Sequence, residues 1–322
     1  LRAAIANKMA VERNLTYDPA SEVVVTSGAQ EAISVVMQTL LDPGDEVLLP
    51  DPYYTAYEMA TGLAFGSIVR VPTNAGDDFE VQPEAIEAFI TPRSRLLVLV
   101  SPNNPTGGII SAETLARIAD LAIRHNLIVI SDELYERVIF DGATAPSIAA
   151  LPGMRERTII INGFSKTYCM TGFRVGYLVG PAELVVPMQE PHHIFTICAP
   201  TASQHAALAA LQGSQECVDE IVATFAQRRQ TLMESLTAAG IPFPYPSGAF
   251  FVFADIRATG MSSADFAVKV LEEAGVLVFP GTQYGPGGEG FLRISYLAEI
   301  PDIVTAVEKL GRVYQASLPN RA

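Results

Sequence analysis

The sequence predicts an α/β protein with a mostly parallel sheet of about seven strands flanked by helices, and a smaller α+β domain at its C-terminal end. Two observations carry this prediction. Between residues 22 and 161, short apolar runs alternate with helical patterns, as in parallel sheets covered on both faces. In addition, 49% of the 322 residues are hydrophobic and only 17% are charged, which is enough apolar material for a large core.

The predicted strands are β-branched or leucine-rich runs bounded by turn residues. They span residues 23–26, 46–49, 68–71, 95–100, 127–131 and 158–161. Helical patterns lie between them, chiefly over residues 30–41, 83–90 and 112–125. Because ligands of such sheets bind at the carboxyl ends of the strands, the residues directly after each run are the candidates for a functional site.

The pattern changes after residue 180, where helical stretches follow one another over residues 182–194, 201–211 and 215–239. Strand patterns then mix with helices: strands at 247–253, 276–279 and 291–296, helices at 263–274 and 301–314. We therefore predict a large domain over residues 1–225 and a small C-terminal domain over residues 226–322.

Charge and cysteine content argue against several classes of protein. A net charge of −14 argues against nucleic-acid binding and against attachment to an anionic membrane surface. The three cysteines are an odd number and unclustered, so they indicate a reducing compartment rather than a disulfide framework or a zinc site. The pair His192-His193 has no third ligand at a zinc-like spacing. With no apolar run long enough for a bilayer and no signal peptide, we expect a cytoplasmic enzyme without a metal.

The start of the sequence is unusual. Residues 1–15, LRAAIANKMAVERNL, read as an amphipathic helix that is already under way, with neither a start methionine nor an N-cap residue. We expect the sequence to be a fragment or a truncated gene model. Expectations about subunit assembly therefore refer to the full-length protein.

One stretch of the sequence is central to the functional interpretation. In residues 158–180, TIIINGFSKTYCMTGFRVGYLVG, a β-branched strand ends in a polar loop with Ser165 and Lys166. At the end of a buried strand, desolvation lowers the pKa of a lysine, so its neutral amine can attack a carbonyl and form a Schiff base. Arg174 follows eight residues later as a fixed cation for a phosphate. A Ser-Lys pair alone is more often solvated surface, so this interpretation needs other motifs.

Two further strand ends carry residues of chemical interest. The sequence Gly28-Ala29-Gln30 opens a helix, whose N-terminus offers free backbone N–H groups and a positive dipole end to a phosphate. The alternative is that the preceding serine is an ordinary N-cap. The adjacent Tyr53 and Tyr54 are either packing residues or supply a ring that stacks on a flat heterocycle.

Two ionisable residues stand in apolar surroundings. Asp132 follows the strand at 127–131 within SDELYE, and a buried acid is unfavourable without a cationic partner, for which a protonated pyridine nitrogen would serve. Glu133, next to it, is expected to point away and to be structural. Arg293 stands in LRISY, and a buried guanidinium requires an anion, either an acid of this chain or the carboxylate of a substrate.

Four motifs occur in a fixed order along the chain: SPNNPTG at 101–107, SDELYE at 131–136, NGFSKTYCMTGFRVGY at 162–177 and LRISY at 292–296. Together they closely resemble the motifs of the class I/II aminotransferases, fold-type I enzymes that depend on pyridoxal 5′-phosphate (PLP). The resemblance covers essentially the whole chain. It implies a transferase of the EC 2.6.1 type, a homodimer when full length, which moves an amino group between an L-amino acid and a 2-oxo acid.

The resemblance also implies roles for individual residues. Lys166 would hold PLP as a Schiff base and move the proton between substrate and cofactor. Asp132 would pair with the ring nitrogen, and Tyr135 and Asn104 would bind the 3′-oxygen. Tyr54 would stack on the ring, with Tyr53 as second choice for this role.

The remaining implied roles concern the two ends of the site, which would bind the anionic groups of the cofactor and the substrate. Gly28, Ala29, Gln30 and Arg174 would bind the cofactor phosphate. Ser165 or Ser27 would replace a serine that many relatives carry at the position of Gly163. Arg293 and Asn104 would bind the substrate carboxylate. The peptide bonds before Pro105 and Pro52 are candidates for the cis form.

Two other functions stay open at this point. One is a PLP-dependent lyase or synthase of the same fold, such as a carbon–sulfur β-lyase or an enzyme like aminocyclopropane-carboxylate synthase. The other is a PLP-binding sensor domain without turnover. The sequence does not identify the amino donor or the acceptor, because it shows no second arginine that faces the substrate.

Overall fold

The computed structural model of the protein describes residues 1–319. Its α-helices are α1 (Arg2–Arg13), α2 (Ala29–Leu40), α3 (Ala56–Leu63), α4 (Pro83–Ala88), α5 (Ala112–Arg124), α6 (Ala182–Val185), α7 (Gln189–Thr196), α8 (Thr201–Gln212), α9 (Glu216–Ala238), α10 (Ser263–Ala274) and α11 (Ile300–Ser317). Its strands are β1 (Val23–Thr26), β2 (Glu46–Asp51), β3 (Ser67–Pro72), β4 (Ser94–Val100), β5 (Ile128–Asp132), β6 (Thr158–Gly163), β7 (Gly176–Val179), β8 (Phe251–Asp255), β9 (Phe279–Pro280) and β10 (Phe291–Ser295).

Within this part of the chain, seven strands form one sheet in the order β1-β7-β6-β5-β4-β2-β3. Strand β7 runs antiparallel to its neighbours β1 and β6, and the other neighbouring pairs are parallel. A small antiparallel sheet, β8-β10-β9, lies in the C-terminal part. The predicted α/β architecture with a mostly parallel sheet and a smaller C-terminal unit is therefore confirmed.

The strand that carries the lysine loop shows why its sequence is apolar throughout. Ile159 and Ile161 on one face of β6 belong to the core that includes α2. Ile160 on the other face packs in a second core with residues of α1 and α8. Because both faces of the strand are covered, it reads as a continuous apolar run without alternation.

Strand register brings the site residues to one level. Val100 at the end of β4 pairs with Asp132 at the end of β5, and Asp132 pairs with Ile161 near the end of β6. The three polar segments that follow these strands therefore leave the same edge of the sheet side by side. This is the edge at which parallel sheets bind ligands.

The structure also corrects several predicted boundaries. Helix α3 is not among the predicted helices. The helix predicted over residues 182–194 is split into α6 and α7 by a short turn with Pro187, which cannot continue a helix. The strand predicted at 276–279 is reduced to β9.

The predicted domain boundary at residue 225 falls inside α9. Phe225 packs in the same core as Val252 of β8, and Tyr135 and Phe140 also belong to that core. The division at residue 225 therefore stays a prediction. No helix within residues 1–319 is both long and apolar enough to cross a membrane.

Candidate active site

A cavity of about 310 Å³ lies where the ends of β4, β5 and β6 face the N-terminus of α2, and we call it the site cavity. Its volume is in the range of small-molecule sites. Its lining residues are Ala29, Gln30, Ile33, Tyr54, Val100, Asn104, Asp132, Leu134, Tyr135, Ser165, Lys166, Thr171 and Arg174. Nine of the eleven predicted site residues are among them. The other two, Gly28 and Arg293, contact Arg174 and Asn104 respectively.

Lys166 extends into the site cavity from the loop after β6. Its Nζ lies 5.2 Å from the centre of the Phe250 ring and 5.9 Å from that of Tyr135. Burial lowers the pKa of Lys166, the positive charges of Arg293 and Arg174 lower it further, and the charge of Asp132 opposes them. The amine is therefore more readily neutral, and nucleophilic, than an exposed lysine.

Asp132 ends β5 and is almost fully buried. Its Oδ2 accepts a hydrogen bond from the Tyr57 hydroxyl at 2.8 Å, and its Oδ1 accepts one from the backbone N–H of Leu134 at 3.1 Å. Burial raises the pKa of this carboxyl, and the two hydrogen bonds and Lys166 oppose that rise. A carboxylate so placed has the chemistry to pair with a cationic ring nitrogen.

Two further polar side chains meet beside Asp132. Tyr135 is buried against the edges of the rings of Phe250 and Phe251, and burial raises the pKa of its hydroxyl, which therefore remains a donor. The oxygen of the buried Asn104 amide accepts from Arg293 Nη1 at 3.0 Å. The NH₂ of Asn104 is then the group left to donate to a ligand.

The N-terminus of α2 forms a cradle for an anion. Gly28 is the N-cap with φ 86°, and no side chain caps the helix, so the first backbone N–H groups are available to a ligand. A Cβ built on Gly28 would lie 2.5 Å from Nη2 of Arg174. The Arg174 guanidinium donates only to backbone carbonyls within residues 1–319, at 3.1 Å to Thr171 and 3.5 Å to Ser27. This donor set fits a phosphate.

Glycines let β7 approach this cradle closely. A Cβ on Gly176 would lie 2.6 Å from the backbone nitrogen of Ala29, and one on Gly163 would lie 3.2 Å from Cα of Gly176. A serine at 163 would therefore require its neighbours to move. Of the two serines proposed to compensate, Ser165 lines the site cavity, whereas the backbone N–H of Ser27 donates to a glutamate of α2.

Arg293 lies on β10 at the other end of the site. Its guanidinium carbon is 4.3 Å from the ring centre of Phe251, 4.7 Å from that of Tyr284 and 5.0 Å from that of Phe279. Burial lowers the pKa of the guanidinium. Its Nε is buried without a partner, and the bond to Asn104 is its only side-chain hydrogen bond within the described residues. An arginine in this state is ready to bind a carboxylate.

One sequence prediction is wrong, and one choice is narrowed. Tyr54, the first choice for the stacking ring, lines the site cavity, whereas the Tyr53 hydroxyl hydrogen-bonds Glu58 and Arg70 and Tyr53 is not among the lining residues. The peptide bond before Pro52 is cis as predicted, but the one before Pro105 is not; the second cis bond precedes Pro102. Pro102 packs directly on Gly248, a contact that is invisible in the sequence.

The expected position of Glu133 agrees with the structure, and some residues were missed. Glu133 points away from the cavity and accepts from Ser131 and Ser147, as expected of a structural acid. Tyr57 and Thr171 were missed; Tyr57 lies in the first turn of α3, three residues after Tyr54. Residues 1–319 contain no group of three or more His, Cys, Asp or Glu side chains that could hold a metal ion.

The sequence model of the family described as aminotransferase class I and II matches residues 1–308. Two curated relatives, the aromatic-amino-acid aminotransferase 2 of Thermococcus litoralis and the aspartate aminotransferase of Pyrococcus abyssi, are each 38% identical over 97% of this chain and 81% of their own length.

Solved structures agree with these relatives. The aromatic aminotransferase from Pyrococcus horikoshii superposes with a TM-score of 0.96 and 39% identity over 98% of this chain and 84% of its own. The aspartate aminotransferase from Thermus thermophilus with maleate has a TM-score of 0.92 and 36% identity over 97% and 81%. The chain therefore belongs to the class I and II aminotransferases: it is a PLP-dependent, fold-type I transferase that moves amino groups between amino acids and 2-oxo acids.

Proposed function

We propose that Lys166 is the residue to which PLP is joined and the base of the transamination. The observation that carries this proposal is the pairing, in one cavity, of a lysine with a lowered pKa and a buried carboxylate, Asp132. When bound, PLP supplies an aldehyde that reacts with amines and a ring that takes up electrons from the substrate's Cα.

Each part of the cofactor has a matching group of this chain. Arg174, Ser165 and the backbone N–H groups of Ala29 and Gln30 would hold the phosphate, and Gly28 leaves room for it. Asp132 would face the ring nitrogen. The hydroxyl of Tyr135 and the amide of Asn104 would bind the 3′-oxygen, and the ring of Tyr54 would cover one face.

The protein residues then have two tasks on the substrate. Arg293 and Asn104 bind its carboxylate, which fixes the bond to be broken relative to the lysine. Once the amino group of the substrate has taken its place on the cofactor, the freed neutral Nζ of Lys166 would accept the proton from the substrate's Cα and hold it for return, acting as base and then as acid. Its lowered pKa supports the neutral form that this role needs.

We propose an amino donor with a neutral side chain, aromatic or aliphatic. Arg174 and Arg293 are taken up by the phosphate and the α-carboxylate, and Lys166 by chemistry. Within the described residues the other lining side chains are uncharged except Asp132. An acidic side chain would therefore lack a cation from this part of the chain, although one of the two relatives above is named for aspartate.

A donor screen on the full-length enzyme tests this function. Phenylalanine, tyrosine, leucine and aspartate are each offered with 2-oxoglutarate and with pyruvate. We expect kcat/KM at least about tenfold higher for a neutral donor than for aspartate, because an unpaired buried charge is costly. A preference for aspartate would contradict the proposed donor class.

Incubation with an amino acid alone tests the reaction type. We expect one equivalent of 2-oxo acid per site, after which the reaction stops. Lys166→Ala should form no product and should keep the far-UV circular dichroism of the wild type. After borohydride reduction and denaturation, the wild type should retain the cofactor and Lys166→Ala should not. Continuous release of ammonia would instead indicate a lyase, and cofactor that stays bound to reduced, denatured Lys166→Ala would argue against the attachment at Lys166.

We further propose that the full-length protein is a cytoplasmic homodimer. Three apolar side chains at the end of α7 are largely solvent-exposed: Ile194 (72%), Phe195 (50%) and Ile197 (69%). An apolar patch of this kind on a water-soluble enzyme usually contacts another protein. The three cysteines are exposed and free, which supports a reducing compartment.

A further inference from the structure

Tyr57 is a buried tyrosine to which no role has yet been given. It has no solvent exposure, and its hydroxyl donates to Oδ2 of Asp132 at 2.8 Å. Oδ1 of Asp132 accepts from the backbone N–H of Leu134 at 3.1 Å. Because a carboxylate offers about four lone-pair directions, each oxygen keeps one that is not used by these bonds.

The position of Tyr57 is fixed by the first turn of α3. Its backbone N–H donates to the carbonyl of Tyr54 at 3.2 Å, and the Tyr54 ring lines the site cavity. The start of this turn is held in place by the hydrogen bond from the Tyr53 N–H to the Tyr284 carbonyl at 2.7 Å. One rigid turn therefore carries both a ring of the cavity wall and the hydroxyl that holds Asp132.

The hydrogen bond opposes the effect of burial on Asp132. Burial raises the pKa of this carboxyl, and the bond from Tyr57 is the strongest influence that lowers it again, ahead of Leu134 and Lys166. Burial and the nearby carboxylate raise the pKa of Tyr57 itself, so it remains a neutral donor. A hydrogen bond to a charged group in such surroundings is stronger than one between neutral groups.

We propose that Tyr57 is a positioning residue of the transamination, which holds the Asp132 carboxylate in the orientation that faces the ring nitrogen of PLP. This inference rests on the role proposed above for Asp132. A purely structural Tyr57 would serve only as an apolar ring in the core that it shares with Val98 and Ile130. Phenylalanine would fill that place equally well, so Tyr57→Phe separates the two roles.

The experiment compares four holoenzymes of the full-length chain: wild type, Tyr57→Phe, Asp132→Asn and the double variant. Two quantities are measured, the Kd of PLP for the apoenzyme and the pH midpoint of the visible absorbance of the bound cofactor. Tyr53→Phe is the matched control, because its hydroxyl bonds Glu58 and Arg70 instead of Asp132. Thermal unfolding of each apoenzyme monitors the fold.

We expect Tyr57→Phe to weaken PLP binding about tenfold or more and to move the absorbance midpoint by more than about half a pH unit. Tyr53→Phe should change neither quantity. In the Asp132→Asn background, Tyr57→Phe should have little further effect, because residues that act through one another are not additive.

Two results would overturn the inference. One is a Tyr57→Phe enzyme with wild-type affinity and midpoint; the other is an equal effect of Tyr57→Phe with and without Asp132. If Asp132→Asn alone changes neither quantity, the role proposed for Asp132 fails, and this inference fails with it. Should Tyr57→Phe not fold, difluorotyrosine at position 57 keeps the shape and strengthens the donor. It should then shift the midpoint, and an unchanged midpoint would count against the proposal.

Discussion

Arg293 and Lys166 are two half-buried basic residues that form no ion pair within residues 1–319, as expected of residues that bind a ligand. Burial lowers the pKa of each. A buried cation that served only the fold would be expected to form an ion pair with a carboxylate of the same chain. Residues that serve function at the expense of stability are common in active sites, and they make substitutions here informative.

Arg293→Leu should lower kcat/KM by about 2–5 kcal/mol of transition-state binding, because the substrate carboxylate loses its charged partner. The free energy of unfolding of the apoenzyme should stay the same or rise, since a cation without a carboxylate partner is removed. Steady-state kinetics and urea unfolding measure the two effects. Arg293→Lys should recover only part of the activity because it lacks the planar fork. Equal losses of stability and activity would contradict this prediction.

Lys166→Met should make apoenzyme stability less dependent on pH. The pKa of Lys166 is below its ordinary value of 10.5, so between the folded pKa and 10.5 the unfolded chain binds more protons and wild-type stability rises with pH. At pH values below the pKa of Lys166 in the folded protein, the amine is charged in both states, and folding bears the full unfavourable free energy of burying that charge. The variant should therefore be more stable than the wild type at about pH 6, with the difference shrinking towards about pH 9.5. Urea unfolding at both pH values tests this; a constant difference would contradict it.

At the scale of elements, helix α1 forms ion pairs with the segment that carries Asp132 and Tyr135. Lys8 and Arg13 on α1 form ion pairs with Glu136, and Arg13 also pairs with Glu133. Both acids are buried, and each directly follows a predicted site residue: Glu133 follows Asp132, and Glu136 follows Tyr135. Burial works to raise the pKa of Glu136, but the two cations hold it below its ordinary value, so its charge is retained.

Arg13→Met should lower the free energy of unfolding by about 3–5 kcal/mol, because among the described residues it leaves the buried Glu133 without a cation and Glu136 with Lys8 alone. Denaturant unfolding measures the loss. Arg124→Met is the control: its pair with Glu87 is on the surface, and no measurable loss is expected. The double variant Arg13→Met/Glu133→Gln should recover part of the stability, because it removes the carboxylate that Arg13→Met leaves unpaired. A loss no larger than that of the control would mean that this network does not stabilise the fold.

The close contact between β7 and the N-terminus of α2 is a second feature at the scale of elements. Gly176→Ala would push a methyl group into the backbone of Ala29, which should cost about 1–3 kcal/mol and displace the N–H groups of the phosphate cradle. Binding of PLP should then weaken more than binding of pyridoxal, which has no phosphate. Gly172→Ala is the control, because its Cβ would have no neighbour within 4 Å. Equal losses of affinity for PLP and for pyridoxal would contradict the proposal that these N–H groups bind the phosphate.

At the scale of the molecule, the exposed patch at the end of α7 adjoins the site. Thr196 Oγ1 and His192 of α7 hydrogen-bond Glu31 of α2, each at 2.7 Å, and Glu31 also accepts from the Ser27 N–H beside the phosphate cradle. A second subunit on this patch would therefore lie next to the cofactor end of the cavity. Assembly and cofactor binding are expected to be linked.

Ile194→Asp in the full-length chain should shift the protein from dimer to monomer in sedimentation experiments and weaken PLP binding. The reason is that a charge would be buried in an apolar interface. Leu277→Asp, at a similarly exposed leucine (70%), is the control and should remain dimeric. If the Ile194→Asp variant remained dimeric, the subunit interface would have to lie elsewhere on the protein.

The α/β architecture could be predicted from the sequence, because apolar periodicity and turn residues are local signals. The cost of burying charge drew attention to Lys166, Asp132 and Arg293, and the resemblance of the four ordered motifs to the aminotransferases supplied their expected roles. Only the folded chain shows that β7 enters the sheet antiparallel and that Tyr57 reaches Asp132. Tyr57 and Asp132 are 75 residues apart in sequence. Their contact depends on how a helix packs over a sheet, and no local pattern encodes that packing.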